Sequence, residues 1–192
     1  MPYNPTIHHR RSIRLKGYDY SQAGLYFITI CVQDRKYLFG QIEDGVVVLN
    51  DAGKMAQNEW QKIPSRFTNV QLHEYIIMPN HFHAIMEIVG STLVVDQNAH
   101  DDGDDIDDEK GGQSQGIAPT NTKTIGDIVG AFQSIVTVEY IRGVKRFGWQ
   151  PFNAKLWQRN FYEHIIRDEQ SCQRISNYIV NNPKNWKEDK FY

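Results

Sequence analysis

The residues with the clearest chemical potential are two histidines, His81 and His83, in the run EYIIMPNHFHAIMEI over 74–88. The run is otherwise apolar and follows a Pro-Asn turn. In a strand successive side chains alternate between faces, so His81 and His83 share one face and Phe82 takes the other. Two imidazoles side by side on a half-buried surface are two thirds of a metal site. A third donor is available far downstream, in ISNYIVNNP, where Tyr178 and Asn182 lie four residues apart and share a helical face. Asn182 offers a hard carbonyl oxygen at a helix end that Pro183 breaks. Two imidazole nitrogens and one amide oxygen suit a loosely held Mg²⁺ or Mn²⁺ with open positions better than a closed structural zinc site.

Tyr178 supplies a phenol beside that site. A phenol has an ordinary pKa of about 10 and attacks poorly until its proton is removed or shared. A metal that holds a phosphodiester oxygen polarises phosphorus and absorbs developing charge. Attack by Tyr178 then conserves the energy of the broken bond as a phosphotyrosine. A second nucleophile, such as a DNA 3′-hydroxyl, can reverse the step. Hydrolysis needs no covalent tyrosine, whereas breakage with rejoining does.

The elements that position these groups can be read from periodicity. Leu25–Gln33 is β-branched and aromatic, as a strand requires. Tyr37–Ile42 and Val46–Leu49 flank Asp44-Gly45, a hairpin turn signal. Asn50 or Asp51 caps a helix expected to run to about Ile63, where Pro64 stops it. Val70–Met78 and His81–Val89 are two further strands. Thr124–Arg142 carries a helical apolar stripe through Ile125, Ile128, Val129, Phe132, Val136 and Tyr140. Phe147–Asn160 is aromatic and irregular, and two helices are expected after it, Phe161–Arg167 and Glu169–Asn182. This order predicts an α+β fold, an antiparallel sheet with helices on a face, with which a ferredoxin-like arrangement is compatible.

The chain has 192 residues and a formal net charge of −2, which conceals an asymmetry. Between Asp96 and Lys110 eight acids stand against one lysine, and the remainder carries 20 basic and 15 acidic residues, a net +5. Residues 91–123, rich in Asp, Gly, Ser, Gln and Asn, read as a disordered surface insertion. Residues 1–16 read as a basic arm, and 17–192 as one catalytic domain around that insertion. No apolar run reaches the ~18 residues a membrane span needs, and the N-terminus has no apolar signal core. Cys31 and Cys172 lack metal spacing and read as small buried thiols of a reducing cytosol.

MPNHFH resembles the histidine-hydrophobic-histidine (HUH) signature of single-tyrosine DNA transposases. WQRNFYEHIIRDE followed by YIVNNP resembles the C-terminal pattern of one branch, the REP-associated tyrosine transposases, and RRSIRLKGYDYSQAGLYFITI resembles their N-terminal strand region. The resemblance spans nearly the whole chain except the acidic insertion, which departs from the compact family pattern. It implies a ferredoxin-like sheet carrying the histidines, with helices packed on one face. It also implies that His81, His83 and Asn182 bind Mg²⁺ or Mn²⁺ and that Tyr178 is the nucleophile. The implied substrate is single-stranded hairpin DNA, cut through a 5′-phosphotyrosine. The resemblance favours a monomer with its site built in one chain over a dimer.

Other readings stay open beside it. The histidines could hold zinc for a water-attacking hydrolase, although no glutamate or third histidine stands at protease-like spacing. A hairpin-binding protein without chemistry is the non-enzymatic alternative. Tyr162, in NFYEHIIR, is the rival nucleophile. If 161–167 is helical, its partners are Ile165 and Ile166, and His164 lies about 200° away. For DNA contact the candidates are Arg10, Arg11 and Arg14 of the arm, then Arg142, Lys145, Arg146, Arg159, His164 and Arg167. Lys155 and Arg174 could extend that path, with Trp149, Phe152 and Trp157 available to stack bases.

Overall fold

A computed structural model describes residues 15, 17–90, 123–189 and 191. The arm with Arg10, Arg11 and Arg14, and all of the acidic insertion but Lys123, lie outside the described residues. Six strands and four helices follow in the order β1 (Gly24–Cys31), β2 (Gly40–Glu43), β3 (Val46–Leu49), α1 (Asp51–Gln61), α2 (Ile63–Arg66), β4 (Val70–Ile77), β5 (His81–Ile88), α3 (Ile125–Phe147), β6 (Tyr162–Ile166) and α4 (Glu169–Asn181). No described helix is long and apolar enough to cross a membrane.

The main sheet has the order β4-β5-β1-β6, with every neighbouring pair antiparallel. Leaving out the β2–β3 hairpin, the path is strand, helix, two strands, helix, strand, which is the ferredoxin-like βαββαβ arrangement. The α+β reading holds. The hairpin turns where expected, at Asp44 and Gly45, both with positive φ (49° and 75°) as a two-residue turn of this kind demands.

Alternation along the central strands builds two unlike faces. Tyr26, Ile28 and Ile30 of β1, with Phe82, Ala84 and Met86 of β5, enter a large core with Trp60 of α1 and Phe132, Val136 and Tyr140 of α3. Ile85, Ile166 and Ile179 form a smaller cluster on the other face, under α4. Two long helices thus cover one face, and α4 lies across the opposite one.

Local sequence accounts for most boundaries. Asn50 caps α1 by accepting from the Gly53 N–H at 2.9 Å. Thr124 and Asp127 form a reciprocal capping box at the start of α3, and Asp168 caps α4 through the Ser171 N–H. Two expected ends move. Pro64 does not end helical structure but sits in the first turn of the short α2, where its missing N–H costs nothing. α3 runs five residues beyond Arg142, to the left-handed Gly148 (φ 68°).

One expectation is overturned. Residues 162–166 are not helical; they form β6 and pair with β1 from Leu25↔Ile166 to Thr29↔Tyr162. YEHII alternates, and its Tyr and two Ile residues suit a strand. The segment is too short for periodicity to separate helix from strand, and the free edge of β1 decides. The separation of Tyr162 from His164 on a helix therefore fails. Two apart on a strand, they share one face.

Candidate metal and tyrosine site

β5 pairs with β1 in a register that sets His81 opposite Cys31 and His83 opposite Thr29. Both imidazoles therefore project from the α4 side of the sheet, with ring centroids 4.5 Å apart. They are buried, His81 completely. Such burial of two polar rings needs partners, and the neighbouring strands and loops provide them. Asn80 Nδ2 donates to the Phe191 carbonyl at 2.8 Å, which turns its Oδ1 toward His81 Nδ1, 2.8 Å away. His81 Nδ1 is thereby the donor, and Nε2 carries the lone pair. His83 Nδ1 meets Thr29 Oγ1 at 2.7 Å and its Nε2 meets Tyr178 Oη at 3.1 Å. A metal-ligating histidine oriented through its second nitrogen has this form.

α4 brings Tyr178 over the pair. Its inner face buries Ser176 and Ile179, while Tyr178 stands at the rim, 39% exposed, its ring edge on Phe27 at 6.2 Å. One turn on, Asn182 is buried. The expected trio of His81, His83 and Asn182 is thus assembled in one place, beside Tyr178.

The sequence reading missed Asp189. Its Oδ2 accepts hydrogen bonds from Tyr178 Oη at 3.0 Å and from Asn182 Nδ2, and its Oδ1 accepts from the Phe191 N–H at 2.7 Å. One donor atom each from His81, His83 and Asp189 lie within 4.8 Å of one another. No period or motif marks Asp189. The signal that could have found it is aromatic: Trp186 stacks on His81 at 5.8 Å and Phe191 packs on His81 at 4.9 Å. Two aromatics flanking an acid, in WKEDKFY, imply a segment that folds back onto the body.

Burial raises the Tyr178 phenol above its ordinary pKa, and the charge and hydrogen bond of Asp189 raise it further, against a smaller opposing hydrogen bond from Asn182. The phenol is therefore held neutral as a donor to a carboxylate, the group that can take its proton. Asn182 Oδ1 is buried and accepts no hydrogen bond among the described residues. A buried oxygen of this kind calls for a ligand. Two imidazoles, a carboxylate and an amide oxygen fit a small divalent ion with oxygen preference.

The remaining candidates divide. Tyr162 and His164 are exposed on the histidine-bearing face, opposite Thr29 and Phe27, and the Tyr162 ring stands 6.4 Å from Phe191. Arg159 and Arg167 are exposed at the two ends of β6. Arg142, Lys145 and Arg146 lie at the end of α3, which packs on the other face. Trp157 is buried in the large core and Phe152 packs against it, so neither is free to stack a base. Cys31 is buried and Cys172 half-buried, both as thiols.

No protein-family model matches the chain. A Haemophilus influenzae protein with the name "Uncharacterized protein" is 40% identical over 198 residues, covering 99% of this chain and 97% of its own length. A second protein of that organism, provisionally named a REP-associated tyrosine transposase, is 23% identical over 168 residues, with 86% of this chain and 73% of its own length covered. Among solved structures, a REP-associated tyrosine transposase bound to a REP hairpin shares the fold with a TM-score of 0.55 at 16% identity, covering 94% of this chain and 77% of that one. The chain belongs to one family with the 40% identical Haemophilus influenzae protein, and it shares its fold with the solved REP-associated tyrosine transposase.

Proposed function

We propose that the protein cuts and rejoins single-stranded DNA at hairpins, through a covalent bond to Tyr178. The observation that carries this reading is the position of Tyr178 Oη, 3.1 Å from His83 Nε2 and 3.0 Å from Asp189 Oδ2. A tyrosine kept for packing has no need of a metal-site histidine and a carboxylate at its hydroxyl. Residues 17–192 form the catalytic domain, with 1–16 a basic arm, and the protein works as a cytoplasmic monomer.

In this reading His81, His83 and Asp189 hold Mg²⁺ or Mn²⁺, with Asn182 Oδ1 as a further donor. The ion supplies positive charge for the phosphate that reacts. Asp189 takes the phenolic proton as Tyr178 Oη bonds to phosphorus. The bond from phosphorus to the 3′-oxygen breaks, and that oxygen leaves with a proton from solvent. The 5′-phosphotyrosine then yields to the 3′-hydroxyl of another strand, which regenerates the phenol. Thr29 and Asn80 fix the histidine rings. Arg159, His164 and Arg167 flank the site along β6 and contact backbone phosphates.

The carboxylate of Asp189 also gives a zinc hydrolase the acidic ligand that the sequence alone lacked. The two readings part at the tyrosine. Labelled hairpin DNA is incubated with protein and Mn²⁺ and resolved on a denaturing gel, beside Tyr178→Phe and Tyr162→Phe. A protein–DNA adduct lost with Tyr178→Phe and with chelator supports the transposase chemistry. Cleavage without an adduct favours hydrolysis, and loss with Tyr162→Phe alone moves the nucleophile to β6.

A further inference from the structure

On the face away from the histidines, a groove of about 470 Å³ opens at the end of α3. Met55 of α1 forms part of its wall, with Arg142, Arg146, Phe147 and Trp149. The Trp149 ring lies against the bare backbone of Gly143, where a Cβ would stand 2.1 Å from it, and Tyr140 braces it edge-on at 5.4 Å. Gly148, in the left-handed region, turns the chain between Phe147 and Trp149. Their rings stand 6.2 Å apart. Phe147 is 73% exposed, the most exposed of the large apolar side chains described.

Arg142 pairs with Glu139, whereas Arg146 makes no side-chain ion pair or hydrogen bond among the described residues. Basic residues in a last turn also complement the helix dipole, which accounts for Lys145 and Arg146 on their own. It does not account for an unburied phenyl ring beside a braced indole in the same groove. Nor does it account for the charge of the chain beyond the helix. From Arg142 to Arg167 six basic residues stand against one acid, Glu163, and Lys145, Lys155 and Arg159 are all exposed.

That strip leads to the catalytic face. α3 begins beside Tyr20, before β1 starts, through the Ile125 N–H bond to the Tyr20 carbonyl. At its far end Tyr140 packs on Phe39, whose N–H donates to the Pro79 carbonyl, two residues from His81. Groove and histidines are therefore at the same end of the sheet on opposite faces. The segment between them crosses at the Val32↔Trp157 bridge, next to the Cys31↔His81 pair, and enters β6 at Tyr162.

We propose that the groove and strip bind the unpaired flank of the hairpin DNA, with one base stacked on Phe147 and adjoining phosphates on Arg142 and Arg146. The proposal rests on the reading of the protein as a hairpin-DNA enzyme and adds where the single strand runs. Only an unpaired base can offer its face to Phe147, because the bases of a duplex are already stacked. The strip then carries the flank round the β6 edge toward Tyr178.

The test uses fluorescence anisotropy with two labelled probes, a blunt DNA hairpin and the same hairpin with a tail of about ten thymidines. The wild-type protein binds the tailed probe about tenfold more tightly. Phe147→Ala removes most of that advantage and leaves blunt-hairpin affinity unchanged, and Arg146→Gln weakens the tailed probe more than the blunt one. Arg146→Gln also lowers the slope of log Kd against log salt by about 0.7. Phe147 is too exposed for its removal to unfold the chain, and a thermal melt checks this. Equal affinity of the wild type for both probes overturns the proposal and leaves hairpin binding intact. A Phe147→Ala protein that sediments as a smaller species but keeps its tail preference overturns it in favour of self-association. If neither probe is bound, the enzyme reading itself fails and this proposal with it.

Discussion

On the face covered by α1 and α3, the sheet meets a core of large rings, with Trp60 4.7 Å from Phe82 and 5.2 Å from Phe132. On the face covered by α4, the same strands meet a smaller cluster centred on Ile85, Ile166 and Ile179, and they bury His81 and His83 beside it. The two faces are written in alternate letters of the same eight residues, HFHAIMEI. Phe82, Ala84 and Met86 hold the strand in place, and that fixes the direction of His81 and His83. A register slip of one residue would exchange the faces and put imidazoles into the ring core. One face is thus a stability device whose product is the orientation of the other.

The sharpest way to break this comparison is to alter one side chain on each face. Tyr178→Phe should abolish the covalent adduct, a loss of at least about a thousandfold, because no other hydroxyl replaces the nucleophile. Its thermal midpoint should move by only a few degrees, since Tyr178 stands at the rim. Phe82→Ala should behave in the opposite sense. Truncating a fully buried ring is expected to cost about 3–5 kcal/mol in urea unfolding. Below its lowered midpoint the variant should still form adduct. A Phe82→Ala protein that stays folded but forms no adduct would show that the faces are not separable.

The α-helical face was nearly all legible in the sequence because it obeys two simple periods. Strand-forming composition gave β1, β4 and β5, a helical stripe gave α3, and Asn50 or Asp51 marked the start of α1 by capping chemistry. The histidine face was legible only where residue type is rare and spacing tight, as in His81 and His83 or Tyr178 and Asn182. β6 was misread because five residues cannot distinguish two periods, and pairing with β1 settles the matter from outside the segment. Asp189 was missed for a related reason. Its place is set by tertiary contacts of Trp186 and Phe191, of which the sequence shows only the flanking rings and not where they dock. Phe147 was passed over because the α3 stripe ran five residues further than its apolar positions suggested.

Asp189 gives a smaller, sharper test of the histidine face. Asp189→Asn keeps the shape and one acceptor but removes the charge. Mn²⁺ affinity, measured by calorimetry without DNA, should fall about 10–100-fold, the range seen when metal-site partners are altered. Asn182→Ala should have the lesser effect, because a neutral amide oxygen holds a cation less strongly than a carboxylate. A loss with Asn182→Ala but not with Asp189→Asn would make Asn182 the principal oxygen donor and Asp189 only the acceptor for Tyr178.

The smallest expected effect lies on the helical face, where charge rather than packing can be titrated. Glu59 of α1 is buried beneath Lys62 and Arg66 of the α2 region, at 2.7 and 2.6 Å. Burial pushes its carboxyl up, but the hydrogen bonds and charges of Lys62 and Arg66 outweigh that and hold it below the usual range. A carboxyl whose folded pKa is depressed contributes stability that is complete above its unfolded value of about 4.3. That contribution is lost as the pH falls through the folded value. Glu59→Gln should therefore be less stable than the wild type by about 1 kcal/mol at pH 7, where Lys62 stays largely hydrated and Arg66 partly so. The gap should close as the pH drops below 4, since the wild-type carboxyl then also carries a proton. Urea midpoints of both proteins across pH 3–7 read the difference directly. A gap that holds constant would mean that Glu59 acts through packing, and that the helical face carries no titratable term at this position.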